Sequence, residues 1–259
     1  MVIIILRLYF FKEYLMKNIV CFIVMLLLLS LVATGNSFAG KEHSYWQTNG
    51  QPMNPLSVKL LLLTDGLMNG YGLPNENLSI NNRIIQLIGN KAVVRTMSSD
   101  GMTTAIGATK VKEIIAVRPH LVVLAIGIND AIKHNDTDIV HNNLSTIVSE
   151  LQRARIYTII VGIQSTPVIS DYSYMSSFNS IYAKLATQFG TPFAPYILEN
   201  IAGQPLKFQN NNIFPNADGA EEVAGIFVQK YLLPAIMQVS DMIVKNQEKY
   251  RNYQHQQRR

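Results

Sequence analysis

Residues 57 to 64, SVKLLLLT, form a short, almost unbroken apolar run that is followed by the polar residue Asp65. A run of this length without polar alternation is typical of a strand that is buried on both faces of a parallel sheet. Four similar runs follow along the chain: residues 91 to 98 (KAVVRTMS), 120 to 126 (HLVVLAI), 157 to 163 (YTIIVGI) and 192 to 196 (PFAPY). Together these runs predict a central parallel sheet of about five strands.

Helical patterns separate the predicted strands. They lie near residues 77 to 89, 104 to 117, 137 to 155, 173 to 189 and 217 to 238. In the third pattern, five apolar residues are predicted to share one buried stripe at helical spacing: Ile139, Leu144, Ile147, Val148 and Leu151. The alternation of strands and helices predicts the α/β class, built as a three-layer α/β/α sandwich over residues 57 to 238.

The N-terminal residues have the layout of a secretory signal peptide. Met16 and Lys17 precede a nearly continuous apolar run from residue 18 to residue 33, and the small residues Ser37 and Ala39 follow it. This layout predicts a signal peptide over residues 1 to 39, cleaved before Gly40, with Met16 as the true start. A periplasmic or secreted protein follows from this interpretation, and a protein anchored to the membrane by an uncleaved segment is the alternative.

The excess of positive charge lies at the two ends of the chain. The whole sequence has 22 basic and 17 acidic residues, and residues 245 to 259 alone hold five of the basic ones and one acidic one. The part between the ends is close to neutral, so the charge pattern gives no support for nucleic-acid binding. Residues 40 to 56 are predicted to be an extended lead-in, and residues 239 to 259 a basic, polar tail. Peripheral contact of this tail with a membrane or an envelope polymer is the alternative to simple solvation.

The ligand site of an open parallel sheet lies beyond the carboxyl ends of its strands. Three segments that follow predicted strands are therefore candidates: residues 64 to 67 (TDGL), 99 to 103 (SDGMT) and 127 to 130 (GIND). A fourth candidate, residues 210 to 218 (NNNIFPNAD), precedes the last predicted helix. The sequence therefore predicts a site that is built from these four loops.

In this order and spacing, the four segments resemble the SGNH (GDSL) hydrolases, especially their periplasmic acyl thioesterase and lysophospholipase branch. Residues 64 to 67 lie where that family has G-D-S-L, Gly101 matches its oxyanion-hole glycine, and residues 127 to 130 match G-x-N-D in full. Residues 211 to 216 (NNIFPN) are similar to D-G-I-H-P-N through their isoleucine, proline and last asparagine. The resemblance covers roughly residues 57 to 238 and implies the fold of that family.

Hydrolysis in that family requires a serine nucleophile, a histidine base and an aspartate that orients the histidine. The resemblance places Gly66, Phe214 and Asn211 at these three positions. None of the three side chains can perform the corresponding step. Because loss of a whole triad lowers kcat by about 10⁶, the resemblance implies a catalytically degenerate protein.

The other residues of the predicted site are expected to bind a ligand rather than to react with it. Gly101 and Asn129 remain as oxyanion-hole donors, and Asp65 and Gly66 complete the predicted ligand-binding set. With Gly66 and Phe214 in place of reactive residues, we expect a roomier, more apolar cleft that takes a small acyl or ester-type ligand.

Two other chemistries stay open at this point. An active ester or thioester hydrolase is one, with a displaced nucleophile such as Ser99 and a displaced base such as His134. A paired-carboxylate site made of Asp65 and Asp130 is the other, although we favour a structural role in which both acids hold the loops. His120 is expected to be structural. Neither metal-ligand spacing nor a nucleotide fingerprint is present, so we predict no metal and no cofactor.

Overall fold

The computed structural model describes Trp46, residues 56–164 and residues 171–257. The predicted signal peptide (1–39), its cleavage before Gly40 and most of the predicted lead-in (40–56) lie outside the described residues.

Five strands form one sheet: β1 (Val58–Thr64), β2 (Ala92–Ser98), β3 (Leu121–Ala125), β4 (Tyr157–Val161) and β5 (Phe193–Ala194). The α-helices are α1 (Gly66–Asn69), α2 (Ile80–Ile88), α3 (Thr104–Thr109), α4 (Val111–Ala116), α5 (Ile128–Ile132), α6 (Thr137–Arg153), α7 (Tyr172–Phe189), α8 (Ala217–Phe227) and α9 (Leu233–Gln257). Short 3₁₀ turns cover Glu76–Leu78, Gly89–Lys91, Glu199–Ile201 and Pro205–Lys207.

The strands lie in the order β2-β1-β3-β4-β5, and every neighbouring pair is parallel. Leu60 of β1 pairs with Val94 on one side and with Leu121 on the other. Helices α2 and α8 pack together, as do α3, α6 and α7, and these helices flank the sheet. The predicted α/β sandwich with about five parallel strands is therefore confirmed.

The strand order places the site. The chain leaves β1 toward β2 on one side and later continues from β3 on the other, so the order reverses between β1 and β3. At such a reversal the loops that follow the two strands separate and leave a crevice beyond their carboxyl ends. Residues 64 to 67 and 127 to 130 lie at this crevice.

The prediction of a buried stripe in α6 is wrong for one residue. Ile139 is 58% exposed, and Val140 takes the buried place beside Leu144, Ile147, Val148 and Leu151. Val140 precedes Leu144 by four residues and shares its face, whereas Ile139 precedes it by five and points away. The predicted helix over 104 to 117 is also divided, into α3 and α4, at Lys110.

The predicted basic, polar tail is helical as far as Gln257. A π-turn over Val228–Leu232 joins α8 to α9, so one helix runs from Ala217 to Gln257. The wider turn lies just before Pro234, which has no N–H to donate and needs space for its ring. Beyond Pro234 the chain is rich in Gln, Lys and Arg, which favour helix. By length and composition this helix could span a membrane, and 44% of its apolar window is buried inside the fold.

Candidate functional site

Asp65 ties the loop after β1 to the loop after β3. Its side chain caps α1 by accepting from the N–H of Leu67 at 3.1 Å. Its other carboxyl oxygen accepts from the N–H groups of Gly127 at 2.7 Å and Ile128 at 2.9 Å. Because Asp65 is 0% exposed, it has no surface for a ligand. Its predicted place in the ligand-binding set is therefore wrong, and it acts by positioning the loops.

The charge of Asp65 is set by two opposing effects. Desolvation by burial raises its pKa, the three backbone N–H groups lower it, and the net result is a pKa of about 7. The negative charge of Asp130 adds to the increase. The carboxyl group that joins the two loops is therefore expected to titrate near neutral pH.

Asp130 is held in the same way by a different loop. It accepts hydrogen bonds from the Thr104 N–H at 2.7 Å, the Thr104 hydroxyl at 3.1 Å and the Asn135 amide at 2.9 Å. Asp130 is 1% exposed. Since both carboxylates are buried and bonded to loop groups, the geometry favours the structural role over a paired-carboxylate reaction centre.

Gly66 is crowded rather than open. It lies buried at the first position of α1, and a Cβ atom placed on it would lie 2.9 Å from the carbonyl oxygen of Asp100. The same Cβ would lie 3.3 Å from Cβ of Tyr71. The segment 99 to 103 therefore closes over the place that the sequence assigns to a nucleophile. The expectation that Gly66 makes the cleft roomier is wrong.

The amide of Asn129 is already engaged. Its Nδ2 donates to the carbonyl oxygens of Asp100 and Met102, each at 2.8 Å. An amide nitrogen has two hydrogens, so both of its donor sites are used in this conformation. A bound oxyanion would have to displace one of these carbonyls. Gly101 lies exposed in the same segment, and a Cβ atom on it would meet nothing within 4 Å.

A second set of bonds fixes the same segment from the side of α1. Asn69 donates from Nδ2 to the Asp100 carboxylate at 2.8 Å, and Ser98 donates its hydroxyl to Oδ1 of Asn69 at 3.0 Å. Asp100 is thus held through its side chain by Asn69 and through its carbonyl by Asn129. Asn69 carries no sequence signal for this role, because nothing in the sequence places α1 beside residue 100.

Phe214 is packed into the wall of the site. It is 7% exposed, and its ring lies 5.1 Å from that of Tyr71 between centroids. Asn211 holds the turn before it, with Oδ1 accepting from the N–H groups of Ile213 at 3.0 Å and Phe214 at 3.2 Å. Gln209, which the sequence did not indicate, donates to the carbonyls of Tyr71 at 2.8 Å and Pro215 at 3.0 Å. This turn and the segment after α1 are therefore fastened together.

His134 and His120 contact groups other than a serine or threonine hydroxyl. The ring of His134 lies 3.9 Å from that of Tyr174, whose hydroxyl donates to the carbonyl of Asn135 at 3.0 Å. His120 accepts through Nδ1 from the N–H of Lys59 at 3.1 Å, which supports the structural role expected for it. Burial lowers the pKa of His120, with a further decrease from Lys59. Within the described part of the chain, no serine or threonine hydroxyl donates to a histidine.

An open pocket of about 410 Å³ borders the turn that carries Phe214. Its walls come from the residue after β4, from α7 and from the loops between β5 and α8. The lining residues are Gln164, Met175, Asn179, Tyr196, Ala202, Gly203, Gln204, Pro205, Phe208 and Asn212. Asn212 is next to Asn211, so one wall of the pocket belongs to the turn that carries Phe214. The sequence did not predict this pocket, because its walls come from separate elements.

The described residues (Trp46, 56–164 and 171–257) contain no group of three His, Cys, Asp or Glu side chains that could hold a metal ion.

Known proteins with related sequences are esterases and thioesterases by name. An arylesterase of Vibrio mimicus is 25% identical over 177 residues, which cover 67% of this chain and 88% of its own. The thioesterase 1/protease 1/lysophospholipase L1 of Escherichia coli strain K12 is 25% identical over 178 residues, covering 68% of this chain and 84% of its own.

Solved structures and a family profile agree with these relatives. AlinE4, an SGNH-hydrolase family esterase, has a TM-score of 0.56 at 28% identity and covers 69% of this chain and 96% of its own. The crystal structure of TesA has a TM-score of 0.59 at 22% identity, over 65% of this chain and 95% of its own. The profile of the GDSL-like Lipase/Acylhydrolase family matches residues 64–221, which is more than half of the sequence. The resemblance inferred from the four loops is confirmed, and the chain belongs to the GDSL-like lipase/acylhydrolase family.

Proposed function

We propose that this protein is a catalytically degenerate member of its family that binds an acyl or ester-type ligand without hydrolysing it. The observation that carries the proposal is the position of the Asp100 carbonyl. Its oxygen accepts from Asn129 at 2.8 Å and would lie 2.9 Å from a Cβ atom at residue 66. The Asp100 carbonyl oxygen thus accepts the hydrogen bond that the Asn129 amide would otherwise donate to a substrate oxygen.

The side chains at the reacting positions support the same proposal. Gly66 offers no hydroxyl to attack a carbonyl, and the ring of Phe214 cannot carry a proton. Asn211 accepts hydrogen bonds from its own turn and has no base to orient. Without a triad, a family member keeps an enhancement of only about 10³ to 10⁴ over water, and that remainder depends on a free oxyanion hole. With Asn129 engaged, even this remainder is expected to be small.

The alternative of a displaced nucleophile rests on the esterase names of the relatives rather than on local geometry. The hydroxyl of Ser99 makes no hydrogen bond to another described residue, and that of its neighbour Ser98 donates to an amide oxygen of Asn69, which is not a base. The ring of His134 packs on Tyr174. A nucleophile and its base need to lie within hydrogen-bond reach of each other, and the described residues provide no such pair.

Part of this ligand is proposed to lie in a pocket of about 410 Å³ that Asn212 helps to line. Its volume lies within the range of about 300 to 1,000 Å³ that is usual for small-molecule sites. Asn212 of its lining follows Asn211 directly, so the pocket borders the turn that carries Phe214.

Export and surface contact complete the proposal. The charged start, apolar run and small residues over positions 16 to 39 support a periplasmic or secreted protein. The exposed end of α9, which carries Lys249 and Arg251, supports peripheral contact with an anionic membrane or envelope polymer. Loss of envelope association in a variant that ends at Val244 would support that contact, and unchanged association would exclude it.

Labelling with a fluorophosphonate, read by intact mass, tests the central part of this proposal. We expect no adduct on this protein under conditions that fully label an esterase of the family. A stoichiometric adduct on a serine or threonine would instead establish the displaced nucleophile.

The proposed ligand binding is tested by thermal unfolding with and without methyl octanoate, because a ligand that binds only the folded state raises Tm.

A further inference from the structure

The pocket that borders the turn carrying Phe214 has an unusual composition. We call it the amide pocket and define it by six of its lining residues: Gln164, Asn179, Tyr196, Gln204, Phe208 and Asn212. Four of its ten lining residues are carboxamides, although Asn and Gln together make up only 36 of the 259 residues. None of these ten described lining residues is charged. This composition indicates a ligand that is neutral and rich in hydrogen-bonding groups.

Carboxamides suit hydroxyl groups in particular. Each carboxamide both donates and accepts, and a hydroxyl does the same, so every orientation of the pair forms a bond. Gln204 donates from Nε2 to the carbonyl of Asn200 at 2.7 Å, which leaves its amide oxygen to accept. The side chains of Gln164 and Asn212 make no hydrogen bond within the described part of the chain.

Two other ligand classes fit this lining poorly. A carboxylate or phosphate would lose hydration without meeting an opposite charge. An alkyl chain that covered the carboxamides would take them from water without replacing their hydrogen bonds. In each case the loss of hydration or of hydrogen bonds would weaken binding.

The aromatic residues provide the complementary surface. Tyr196 and Phe208 are half-buried in the wall and present flat, apolar rings. Burial raises the pKa of Tyr196, so its hydroxyl stays protonated and able to donate. Sugar rings combine a face of C–H groups with a rim of hydroxyls, which matches rings set among carboxamides.

We propose that the amide pocket binds a neutral saccharide, as the alcohol part of the ester-type ligand. The inference rests on the proposed function in that the ligand is held without turnover, and it adds the chemical class of the group in the pocket. A disaccharide or a sugar with one substituent fits a pocket of about 410 Å³.

Saturation-transfer difference NMR on the full chain tests the inference, with cellobiose as the neutral probe. Digalacturonate is the charged probe, methyl octanoate the alkyl ester, and a neutral alanine tetrapeptide amide the peptide probe. The variants are Gln164→Met, which keeps the length of the side chain and removes its amide, and Asn212→Gly, which also suits the positive φ of 54° at that position. Gln188→Met, at an exposed position of α7, is the matched control.

We expect saturable binding of cellobiose but not of digalacturonate. Each pocket variant should weaken cellobiose binding about three- to tenfold, the effect of one lost neutral hydrogen bond, and the control should leave it unchanged. Cellobiose binding that neither pocket variant alters would overturn the inference, and so would a preference for the tetrapeptide.

The two proposals fail in different ways. If methyl octanoate binds and cellobiose does not, the saccharide is wrong and binding without turnover stands. If the protein hydrolyses methyl octanoate, the proposed function fails whatever cellobiose does. If no probe binds, the saccharide inference is rejected.

Discussion

The side-chain amide of Asn129 donates a 2.8 Å hydrogen bond to the main-chain carbonyl of Asp100. The resemblance to the family implies that this amide stabilises the negative oxygen of a reacting ester. Here the protein supplies the oxygen itself, and a second bond from the same nitrogen reaches Met102 at 2.8 Å. The side chain of Asn129 thus has a structural use, as a clasp between the loops after β2 and β3.

Replacement of Asn129 by alanine is therefore expected to affect stability rather than activity. Two carbonyl oxygens lose their donor at a half-buried position, so the free energy of unfolding should fall by about 1 to 2 kcal/mol. Chemical denaturation measures the change, and Asn142→Ala, at an exposed position of α6, is the control. Equal stability of both variants would mean that the clasp does not hold the loops.

The crowding at Gly66 predicts a penalty for any side chain at this position. Gly66→Ala brings a Cβ to 2.9 Å from the Asp100 carbonyl oxygen, and we expect a loss of about 1 to 3 kcal/mol of stability. Gly225→Ala in α8, where a Cβ meets nothing within 4 Å, is expected to gain about 0.5 to 1 kcal/mol instead. If the two variants shift the denaturation midpoint in the same direction, the loop does not close over residue 66.

The raised pKa of Asp65 predicts how stability depends on pH. Its ordinary pKa is 3.8 and its pKa in the folded protein is about 7. Between these values the folded state holds more protons than the unfolded state, so stability falls as pH rises. The contribution is fully present below about pH 4 and lost as pH passes about 7, a change on the order of a few kcal/mol.

Asp65→Asn isolates this effect, because the amide does not titrate. At low pH the protonated carboxyl and the amide each have one carbonyl oxygen to accept and one group that donates, so the two proteins should have similar stability there. Its free energy of unfolding should also change less than that of the wild type between about pH 5 and about pH 8. Parallel pH profiles for the two proteins would show that the carboxyl of Asp65 keeps an ordinary pKa.

Phe214 is predicted to stabilise the wall of the site. Removal of its ring by Phe214→Ala leaves a cavity against Tyr71 and should cost about 2 to 4 kcal/mol. Leu206→Ala, on the same connection between β5 and α8 but 89% exposed, should change stability by less than about 0.5 kcal/mol. A small effect at Phe214, measured by thermal and chemical unfolding, would argue that the turn at 211 to 214 is loosely attached.

The sequence predicts the fold well because the fold depends on local patterns. Short apolar runs such as residues 57 to 64 determine the strands, and the period of 3.6 residues determines the helices between them. The error at Ile139 arises because two adjacent apolar residues compete for one stripe, and only the exact position of the helix face decides between them. The helical end of α9 was missed because polar residues carry no periodic signal.

The site is only partly readable from the sequence. The four loops and the structural roles of Asp65 and His120 follow from their positions after strands or at their starts. The closure of the site does not, because it depends on the Asp100 carbonyl, and a main-chain atom has no signature in the sequence. The amide pocket is missed for a related reason, since its walls come from elements far apart in the chain.

Ester hydrolysis tests the central claim most directly. The purified protein and its Asn129→Ala variant are assayed with p-nitrophenyl acetate, p-nitrophenyl butyrate and an acyl-CoA, the variant serving to reveal a contaminating esterase. We expect rates at the level of the buffer blank for both proteins. Clear turnover by the wild type that falls in the variant would contradict it, because Asn129 would then be stabilising an oxyanion in a working active site.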